Sequence, residues 1–470
     1  MHEIDFDQQP YLVVWECTRA CMLVCRHCRA ASQPRRHPQE LTTEEGRHFI
    51  EQVGRAKPGI FIITGGDPAQ RPDFKEMIAC GAQKGLRVAF SPSATPKLLS
   101  HDFKELKDLG VARMSLSLDG ARAETHNAFR GVPKSWDWTM EAIARAQTAE
   151  LPLQINSTFT KRNIAEFDLY LPLLERIKPA TWSVFLLVPT GRGRVEDLLT
   201  GQEIEDLFER LYALSKKVPF PIKTTEGQHY RRVVLQHSAT QPGLQSVDLK
   251  QIRVPDEVIK MVSVSMAQVY RIVPISFGNN VLTVAMADPQ NVNALDDLRL
   301  MLKCQVTAAM ATEAQVTQAI SQYYGGQKDS IKDLLDSMTG EEMRVLKPGE
   351  GGTGGTNVAR PGAGHSPFSG SMGVNDGKGF VFVSHTGEIC PSGFLPYVAG
   401  NVRQDELIEV YRNSPIFREL RDSSLLKGKC GRCEFKQICG GSRARAYAMS
   451  GDHLAEEPFC VYQPGEGRTG

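Results

Sequence analysis

The chain has almost no net charge, because 55 Lys and Arg stand against 54 Asp and Glu, for a total of +1 over 470 residues. It therefore lacks the basic excess of proteins that bind nucleic acids or anionic membranes, and we expect neither partner. It also lacks an apolar run long enough to span a bilayer. Its acidic first residues lack the basic-then-apolar pattern of a signal peptide. These absences predict a cytoplasmic protein with no membrane span.

Cysteine, in contrast, is plentiful, with 11 residues. In a reducing cytoplasm that number indicates metal ligation. Cys21, Cys25 and Cys28 stand at spacing C-x3-C-x2-C. Three thiolates can hold three irons of a 4Fe–4S cluster, which normally takes four protein ligands, so one iron would stay open to another ligand. Zinc, which usually takes paired C-x2-C ligands, and disulfides, which need an oxidising compartment, are the alternatives.

Short apolar strands alternate with helical stretches over residues 11–220. Predicted strands cover 11–16, 60–63, 87–90, 113–118, 153–158 and 182–188. Predicted helices cover 43–55, 73–84, 102–109, 136–149 and 165–177. Strand–helix units in series predict an α/β fold with a parallel sheet, closed or partly closed. Ligands collect at the carboxyl ends of such strands, and the cysteine triad directly follows the first one.

Three further motifs follow in order: Gly65-Gly66-Asp67-Pro68 after the second strand, SLSLDG at 115–120 and HNAFR at 126–130. A Gly-Gly turn lets a ligand approach the backbone closely. With the triad, these motifs resemble the radical S-adenosylmethionine (SAM) superfamily. The resemblance covers residues 11–193 and implies a partial (β/α)6 barrel, a SAM-binding 4Fe–4S cluster on Cys21, Cys25 and Cys28, and SAM itself.

The same resemblance implies roles for residues around SAM, although each could instead be an ordinary cap or strand-end residue. His27 would lie near the adenine, and the backbone carbonyls of Gly65 and Gly66 would meet the amino group. Ser117 and Arg130 would contact the ribose and the carboxylate. The strand-end residues Asn156 and Val188 would line the same pocket. Cys17 lies outside the triad spacing and is interpreted as a small buried residue.

A second cysteine set lies near the carboxyl terminus: Cys430, Cys433, Cys439 and Cys460. Four thiolates can complete an iron–sulfur site with no open iron, and a structural zinc is the alternative. The pattern resembles the SPASM extension of radical SAM enzymes, which can carry two auxiliary clusters. Ser392 and Arg443 stand where the second cluster would need cysteines, so the resemblance implies one auxiliary 4Fe–4S cluster. Cys390 is a spare ligand, a substrate-facing thiol or a structural residue.

Other segments resemble the subgroup that modifies tetrapyrrole side chains in heme synthesis. They are LVPTGRG at 187–193, FVSHTGEI at 382–389, PSGFLP at 391–396, GNV at 400–402 and CGGSRARAY at 439–447. Arg pairs strongly with carboxylates, so some Arg side chains are candidates for substrate propionates, with fold-stabilising ion pairs as the alternative. The candidates are Arg192, Arg194, Arg231, Arg232, Arg443 and Arg445. Peptide-modifying enzymes share this architecture, so a peptide substrate stays open.

The middle of the chain has a different character. VAMADPQN at 284–291 and ALDDLR at 294–299 resemble the N-terminal domain of type II secretion and type IV pilus ATPases. No Walker A motif occurs, so the segment is not itself an ATPase. This inserted α/β module is predicted to serve interaction with a protein partner or regulation, with nucleotide sensing as the alternative. A charged helix is predicted at 330–346 and a Gly/Pro/Ser-rich linker at 348–372.

The predicted domains are a radical SAM core at 1–236, the inserted module at 243–326, the helix and linker at 327–372, and a SPASM-like domain at 373–470. The sequence predicts an enzyme that cleaves SAM reductively to a 5′-deoxyadenosyl radical, which abstracts hydrogen from a tetrapyrrole or peptide substrate. A flavodoxin or ferredoxin would supply the electron. The competing hypothesis is an iron–sulfur regulatory protein that has lost turnover.

Overall fold

The computed structural model describes residues 5–239, 247–249, 252–278, 280–286, 298, 302, 304–324 and 373–465. The chain forms two compact units, one from Met1–Val234 with Pro367–Gly470 and the other from Leu235–Ser366. The charged helix predicted at 330–346 and the linker predicted at 348–372 lie outside the described residues. None of the helices within those ranges is long and apolar enough to cross a membrane.

The first unit is built on one ten-stranded sheet in the order β13-β12-β11-β1-β2-β3-β4-β5-β6-β7. Strands β1 to β7 are parallel, and β11 joins β1 in parallel on the other side. The strands are Leu12–Glu16 (β1), Ile60–Thr64 (β2), Val88–Phe90 (β3), Val111–Ser117 (β4), Leu153–Phe159 (β5), Thr181–Leu186 (β6), Ile222–Thr225 (β7), Phe380–Val383 (β11), Glu388–Cys390 (β12) and Gly400–Asn401 (β13). The predicted α/β fold with a partly closed parallel sheet is confirmed.

Helices connect the parallel strands, as right-handed crossovers require. The helices between β1 and β7 are Thr43–Ala56, Phe74–Gln83, Pro96–Leu99, Phe103–Asp108, Ala123–Arg130, Ser135–Thr148, Phe167–Ile177 and Gly201–Ser215. Tyr230–Ala239 follows β7, and Leu407–Asn413, Pro415–Arg421, Gly428–Arg432 and Arg443–Ser450 follow β13. The first helix begins with a capping box, in which Thr42 accepts from the Glu45 N–H and the Glu45 carboxylate accepts from the Thr42 N–H. The predicted strands and helices agree with the structure to within two residues at each end.

The sheet extends beyond the six predicted strands. β7 was not predicted because it is only four residues long and carries Lys223 between Ile222 and Thr224. β11 comes from the C-terminal region and pairs with β1 across more than 360 residues of sequence, from Leu12↔Phe380 to Trp15↔Val383. The C-terminal region is therefore part of the sheet and not an appended body.

The core of this unit lies between the sheet and its helices. Trp182 on β6 is fully buried, stacks on Tyr170 with ring centroids 5.7 Å apart, and donates its indole N–H to Ser157 Oγ at 3.0 Å. Trp15 on β1 packs edge-on against Phe49 of the first helix at 5.5 Å. Burying such large rings contributes most of the driving force for folding and fixes the strands relative to the helices.

The second unit has a three-stranded sheet in the order β10-β9-β8. β8 (Ile272–Gly278) is antiparallel to β9 (Val281–Met286), and β9 is parallel to β10 (Gln305–Met310). Its described helices are Asp256–Ile259, Val264–Tyr270 and Glu313–Tyr324. Buried residues of the sheet and these helices, among them Ala267, Val284 and Val316, form a separate hydrophobic core.

Candidate active site

The cysteine triad lies on a loop that leaves the carboxyl end of β1. Cys21 and Cys25 are buried, Cys28 is partly buried, and the three side chains belong to one small cluster. All three line one end of a cavity of about 360 Å³ that runs along the inner face of the barrel. Three thiols at one end of a cavity are a donor set that would hold three irons of a 4Fe–4S cluster and would leave one iron without a protein ligand.

Hydrogen-bond donors surround the triad sulfurs. The Leu23 N–H lies 3.3 Å from Cys21 Sγ, the Ser32 N–H lies 3.4 Å from Cys28 Sγ, and the Arg130 guanidinium lies 3.3 Å from Cys25 Sγ. In the metal-free chain, burial raises the pKa of the Cys21 thiol to about 11. Because only thiolates ligate iron, cluster binding must release these protons, and the surrounding donors stabilise the resulting negative charge.

The Gly65-Gly66 turn packs directly against the triad loop. The Gly66 N–H donates to Thr18 O at 2.7 Å, and the Asp67 N–H donates to Ala20 O at 2.7 Å. A Cβ added at Gly66 would lie 2.6 Å from Ala20 O, closer than real Cβ contacts allow. The Gly66 carbonyl accepts a hydrogen bond from Ser93 Oγ at 2.9 Å. This turn therefore needs glycine for a packing reason that is separate from the predicted contact with SAM.

The buried Asp119 and the partly buried Arg130 and His27 form a charged group beside Cys25. Arg130 Nε lies 3.1 Å from Asp119 Oδ2, and His27 Nε2 lies 3.8 Å from the same oxygen. Burial would raise the pKa of Asp119, but Arg130 and His27 hold it below its ordinary value. Burial lowers the pKa of His27 to about 4, so its ring is neutral near pH 7. A neutral, flat ring against Phe129, with centroids 4.6 Å apart, is suited to stacking on an apolar ligand.

All the residues predicted around SAM line the same cavity as the triad: His27, Gly65, Gly66, Ser117, Arg130, Asn156 and Val188. The strand pleat explains why, since Ser117 at the end of β4 is the register partner of Asn156, which lies in the middle of β5 and not at its end as predicted. The structure thus brings the whole predicted set together, while the individual contacts with SAM stay predictions.

The arginines proposed for substrate carboxylates are placed differently, and none of the six lines this cavity in the described part of the chain. Arg192 donates to Cys25 O at 2.8 Å and to Ser32 O at 2.9 Å, so it supports the triad loop. Two other arginines donate to backbone carbonyls: Arg231 to Ile438 O and Val374 O, and Arg443 to His453 O and Ala455 O. Two form ion pairs, Arg232 with Glu205 and Arg445 with Glu457. Arg194 is largely exposed near Glu196. These contacts are of the fold-stabilising kind that was the alternative to binding substrate propionates.

Sequence reasoning missed a second buried group at the cavity mouth. Arg29, from the triad loop, forms an ion pair with the buried Glu16 at 2.5 Å and lies over the Phe382 ring at 4.6 Å. His385 Nδ1 lies 3.1 Å from the other oxygen of Glu16. Burial would raise the pKa of Glu16, but Arg29 and His385 hold it below its ordinary value. The sequence signal that could have revealed this group is Glu16, a carboxylate at the end of an apolar strand.

The four C-terminal cysteines line a second, smaller cavity together with Arg232, Lys429 and Lys436. Cys430 Sγ accepts from the Glu457 N–H at 3.3 Å, and Cys439 Sγ accepts from the Gly441 N–H at 3.4 Å. Burial raises the pKa of Cys439 to about 12 and of Cys460 to about 11. A common cavity with cationic neighbours fits a negatively charged iron–sulfur cluster on Cys430, Cys433, Cys439 and Cys460.

The remaining cysteines have no ligand geometry. All eleven are free thiols. Cys17 is buried, as predicted, and Cys390 is buried on β12 as the register partner of Phe382, but neither cysteine is among the residues that line the two described cavities. Burial raises the pKa of Cys390 to about 12, which leaves it protonated and unreactive at neutral pH. Across the described ranges, no group of three or more His, Cys, Asp or Glu side chains is placed for a single metal ion.

Residues 15–169 match the radical SAM superfamily, and residues 243–330 match the MshEN domain. An AdoMet-dependent heme synthase of Methanosarcina barkeri is 32% identical over 97% of this chain and 98% of its own length. Another from Nitratidesulfovibrio vulgaris is 32% identical over 96% of this chain and 92% of its own length.

Among solved structures, Streptococcus suis SuiB bound to the precursor peptide SuiA is similar in fold, with a TM-score of 0.56 and 13% identity over 97% of this chain and 76% of SuiB. The triad, its cavity and these matches define a radical SAM enzyme, which uses a 4Fe–4S cluster to cleave SAM reductively to a 5′-deoxyadenosyl radical. The chain belongs to the family that includes the AdoMet-dependent heme synthases, and it carries an MshEN module.

The Gly-Gly turn generates a first prediction. We expect Gly66→Ala to displace the triad loop, because the added methyl group meets the carbonyl oxygens of Arg19 and Ala20 at 2.6 Å. Iron content and SAM binding of the anaerobically reconstituted protein should both fall at least several-fold. Gly54→Ala is the matched control, since its Cβ would meet only the Lys84 side chain at 3.5 Å. Unchanged SAM binding in Gly66→Ala would contradict the packing role.

A second prediction concerns pH. Burial, followed by the proximity of Asp376, raises the pKa of Glu226 to about 8. In the unfolded chain Glu226 ionises near 4.5, so between about pH 4.5 and 8 the unfolded state binds fewer protons than the folded state. The free energy of unfolding should therefore fall as pH rises through this window.

Denaturant unfolding of Glu226→Gln, measured at several pH values, should show a flatter dependence than the native sequence. Glu175→Gln, at an exposed helical position, should leave the dependence unchanged and serves as the control. An unaltered slope in Glu226→Gln would show that Glu226 ionises normally in the folded protein.

Proposed function

We propose that this enzyme acts on a tetrapyrrole, converting propionate side chains to vinyl groups by oxidative decarboxylation. The observation that carries the proposal is the cavity, which joins the triad to an apolar wall formed by β11, β1 and β2 and a polar wall formed by β4 to β7. A flat, largely apolar ring with carboxylate side chains matches that division. The relatives that align over nearly the whole chain are AdoMet-dependent heme synthases, which supports the same substrate class.

The proposed reaction balances for each side chain. The 5′-deoxyadenosyl radical takes one hydrogen atom from the side chain and becomes 5′-deoxyadenosine. The substrate radical then loses CO2 and one electron, which leaves a vinyl group. One SAM is consumed and methionine is released. The protein's own part is to orient the side chain and to exclude water from the radical.

The leaving electron needs an acceptor. We propose one auxiliary 4Fe–4S cluster on Cys430, Cys433, Cys439 and Cys460 for this role, supported by the common cavity of the four thiols and by nearby cations. We further propose that the reductant of the triad cluster is a flavodoxin or ferredoxin, that the enzyme works in the reducing cytoplasm, and that the MshEN module contacts a protein partner.

A peptide substrate is the second candidate, favoured by the fold similarity to SuiB bound to its precursor peptide. The two candidates differ in product. Reconstituted enzyme, reduced with dithionite and supplied with SAM and iron coproporphyrin III, should form 5′-deoxyadenosine together with a porphyrin that has lost CO2 and two hydrogens per converted side chain. Mass spectrometry follows both products.

The variant with Cys21, Cys25 and Cys28 all replaced by Ala should form neither product. Cys80→Ala, a half-buried cysteine on a helix away from both cysteine sites, is the control and should form both. 5′-Deoxyadenosine without any change in the porphyrin would overturn the tetrapyrrole proposal and leave the peptide candidate. Absence of 5′-deoxyadenosine with an intact cluster would favour the regulatory protein without turnover.

The auxiliary cluster is tested by iron content. We expect about eight irons per chain from two four-iron clusters, and about four after Cys430 and Cys433 are replaced by Ala. Replacing the triad cysteines should also leave about four irons, because the two sites are independent. Stoichiometric zinc in place of iron in the triad variant would identify the C-terminal site as structural zinc.

A further inference from the structure

The active-site cavity has two ends of different chemistry. At the triad end, both arginines are neutralised by buried carboxylates, Arg29 by Glu16 and Arg130 by Asp119. The cavity continues to the amino-terminal ends of the strands, where it is lined by Leu12, Ile60 and Phe380 on one wall. Opposite them, two half-buried cations point into the same cavity, Arg113 on β4 and Lys223 on β7.

Among residues 5–239 and 373–465, neither Arg113 nor Lys223 has a carboxylate partner. Arg113 donates to Thr181 Oγ1 at 3.2 Å. The ionisable groups that act on it electrostatically are the cation Arg87, at the rim of the cavity, and Tyr11. Over residues 5–239 and 373–465, no carboxylate oxygen lies within 4 Å of the charged nitrogens of Arg113, Lys223 or Arg87. Burial, followed by the charge of Arg113, lowers the pKa of Lys223 to about 8.

An uncompensated pair of like charges inside a cavity is unfavourable for the free protein. Removing cations from water costs free energy, and their mutual repulsion adds to that cost. Natural folds retain such an arrangement mainly where an anion binds, because the ligand then supplies the missing counter-charge. The pleat makes the placement specific: Arg113, Ser115 and Ser117 lie on the inward face of β4, from the cation end to the triad end.

We propose that Arg113 and Lys223 form a carboxylate-binding subsite at the end of the cavity remote from the cysteine triad. This inference rests on the proposed function and deepens it. One propionate of the tetrapyrrole is held by the two cations while another, across the ring, is presented at the triad end. Leu12, Ile60 and Phe380 face the ring from the apolar wall. The Arg fork pairs with both carboxylate oxygens, and the Lys ammonium adds a point charge.

The matched probes are iron coproporphyrin III and its tetramethyl ester, which share one ring but differ in carboxylate charge. Absorbance titration of the full-length reconstituted protein should show tighter binding of the acid than of the ester. Lys223→Gln and Arg113→Gln should each weaken binding of the acid roughly tenfold, the effect of about 1.4 kcal/mol, and leave binding of the ester unchanged. Lys223→Arg should retain the preference for the acid.

Lys217→Gln is the matched control, because it removes a positive charge from an exposed side chain just before β7. Iron content and thermal melting of every variant establish that it is folded. If both subsite variants bind the acid as tightly as Lys217→Gln does, the subsite proposal is wrong. The proposed function still holds in that case if the native enzyme converts the porphyrin. If the native protein binds neither porphyrin, the tetrapyrrole proposal fails and the subsite inference fails with it.

Discussion

The site depends on holding three thiols together on a loop that has no helix or strand of its own. Such a loop satisfies only part of its backbone groups internally, as in the bond from the Cys21 N–H to Gln33 O, so neighbouring segments must supply the other partners. The Gly65-Gly66 turn supplies N–H donors for Thr18 O and Ala20 O, and the Arg192 side chain supplies donors for Cys25 O and Ser32 O. The geometry of the triad is therefore a property of the barrel mouth and not of the C-x3-C-x2-C spacing alone.

This dependence gives a physical meaning to a motif outside the triad. Within LVPTGRG, Gly191 has a left-handed backbone with φ 65°, and a Cβ there would lie 2.2 Å from Arg29 O. The following N–H, of Arg192, donates to Cys28 O at 3.0 Å. The segment thus fits closely over the second half of the triad loop. Its resemblance to tetrapyrrole-modifying enzymes can reflect how the cluster loop is supported, and so it argues for the enzyme class more strongly than for the substrate.

Much of the barrel could be predicted because its signals are local. Strands β1 to β6 are apolar runs next to amphipathic helices, and the cavity residues Gly66 and Ser117 follow from position at strand ends, whereas Asn156 lines the cavity from the middle of β5. The ion pairs could not be predicted, since nothing in the sequence says that Arg445 meets the buried Glu457 or that Arg29 meets Glu16. Lys223 was overlooked for a related reason. A charged residue in a short strand argues against a buried position unless the interior of the barrel is itself a binding cavity.

The pairing of β11 with β1 makes the C-terminal region a part of the substrate cavity. Phe380 and Phe382 of β11 lie on its apolar wall, and Arg29 of the triad loop donates to Gly393 O at 3.3 Å. The segment that matches the radical SAM superfamily, residues 15–169, contains the triad and Arg113 but neither Phe380 nor Lys223. Similarity within that segment therefore specifies how a radical is made. Under the proposed function, what the radical meets would depend on cavity residues contributed from β7 and β11, so relatives aligned over the full chain bear most on the substrate.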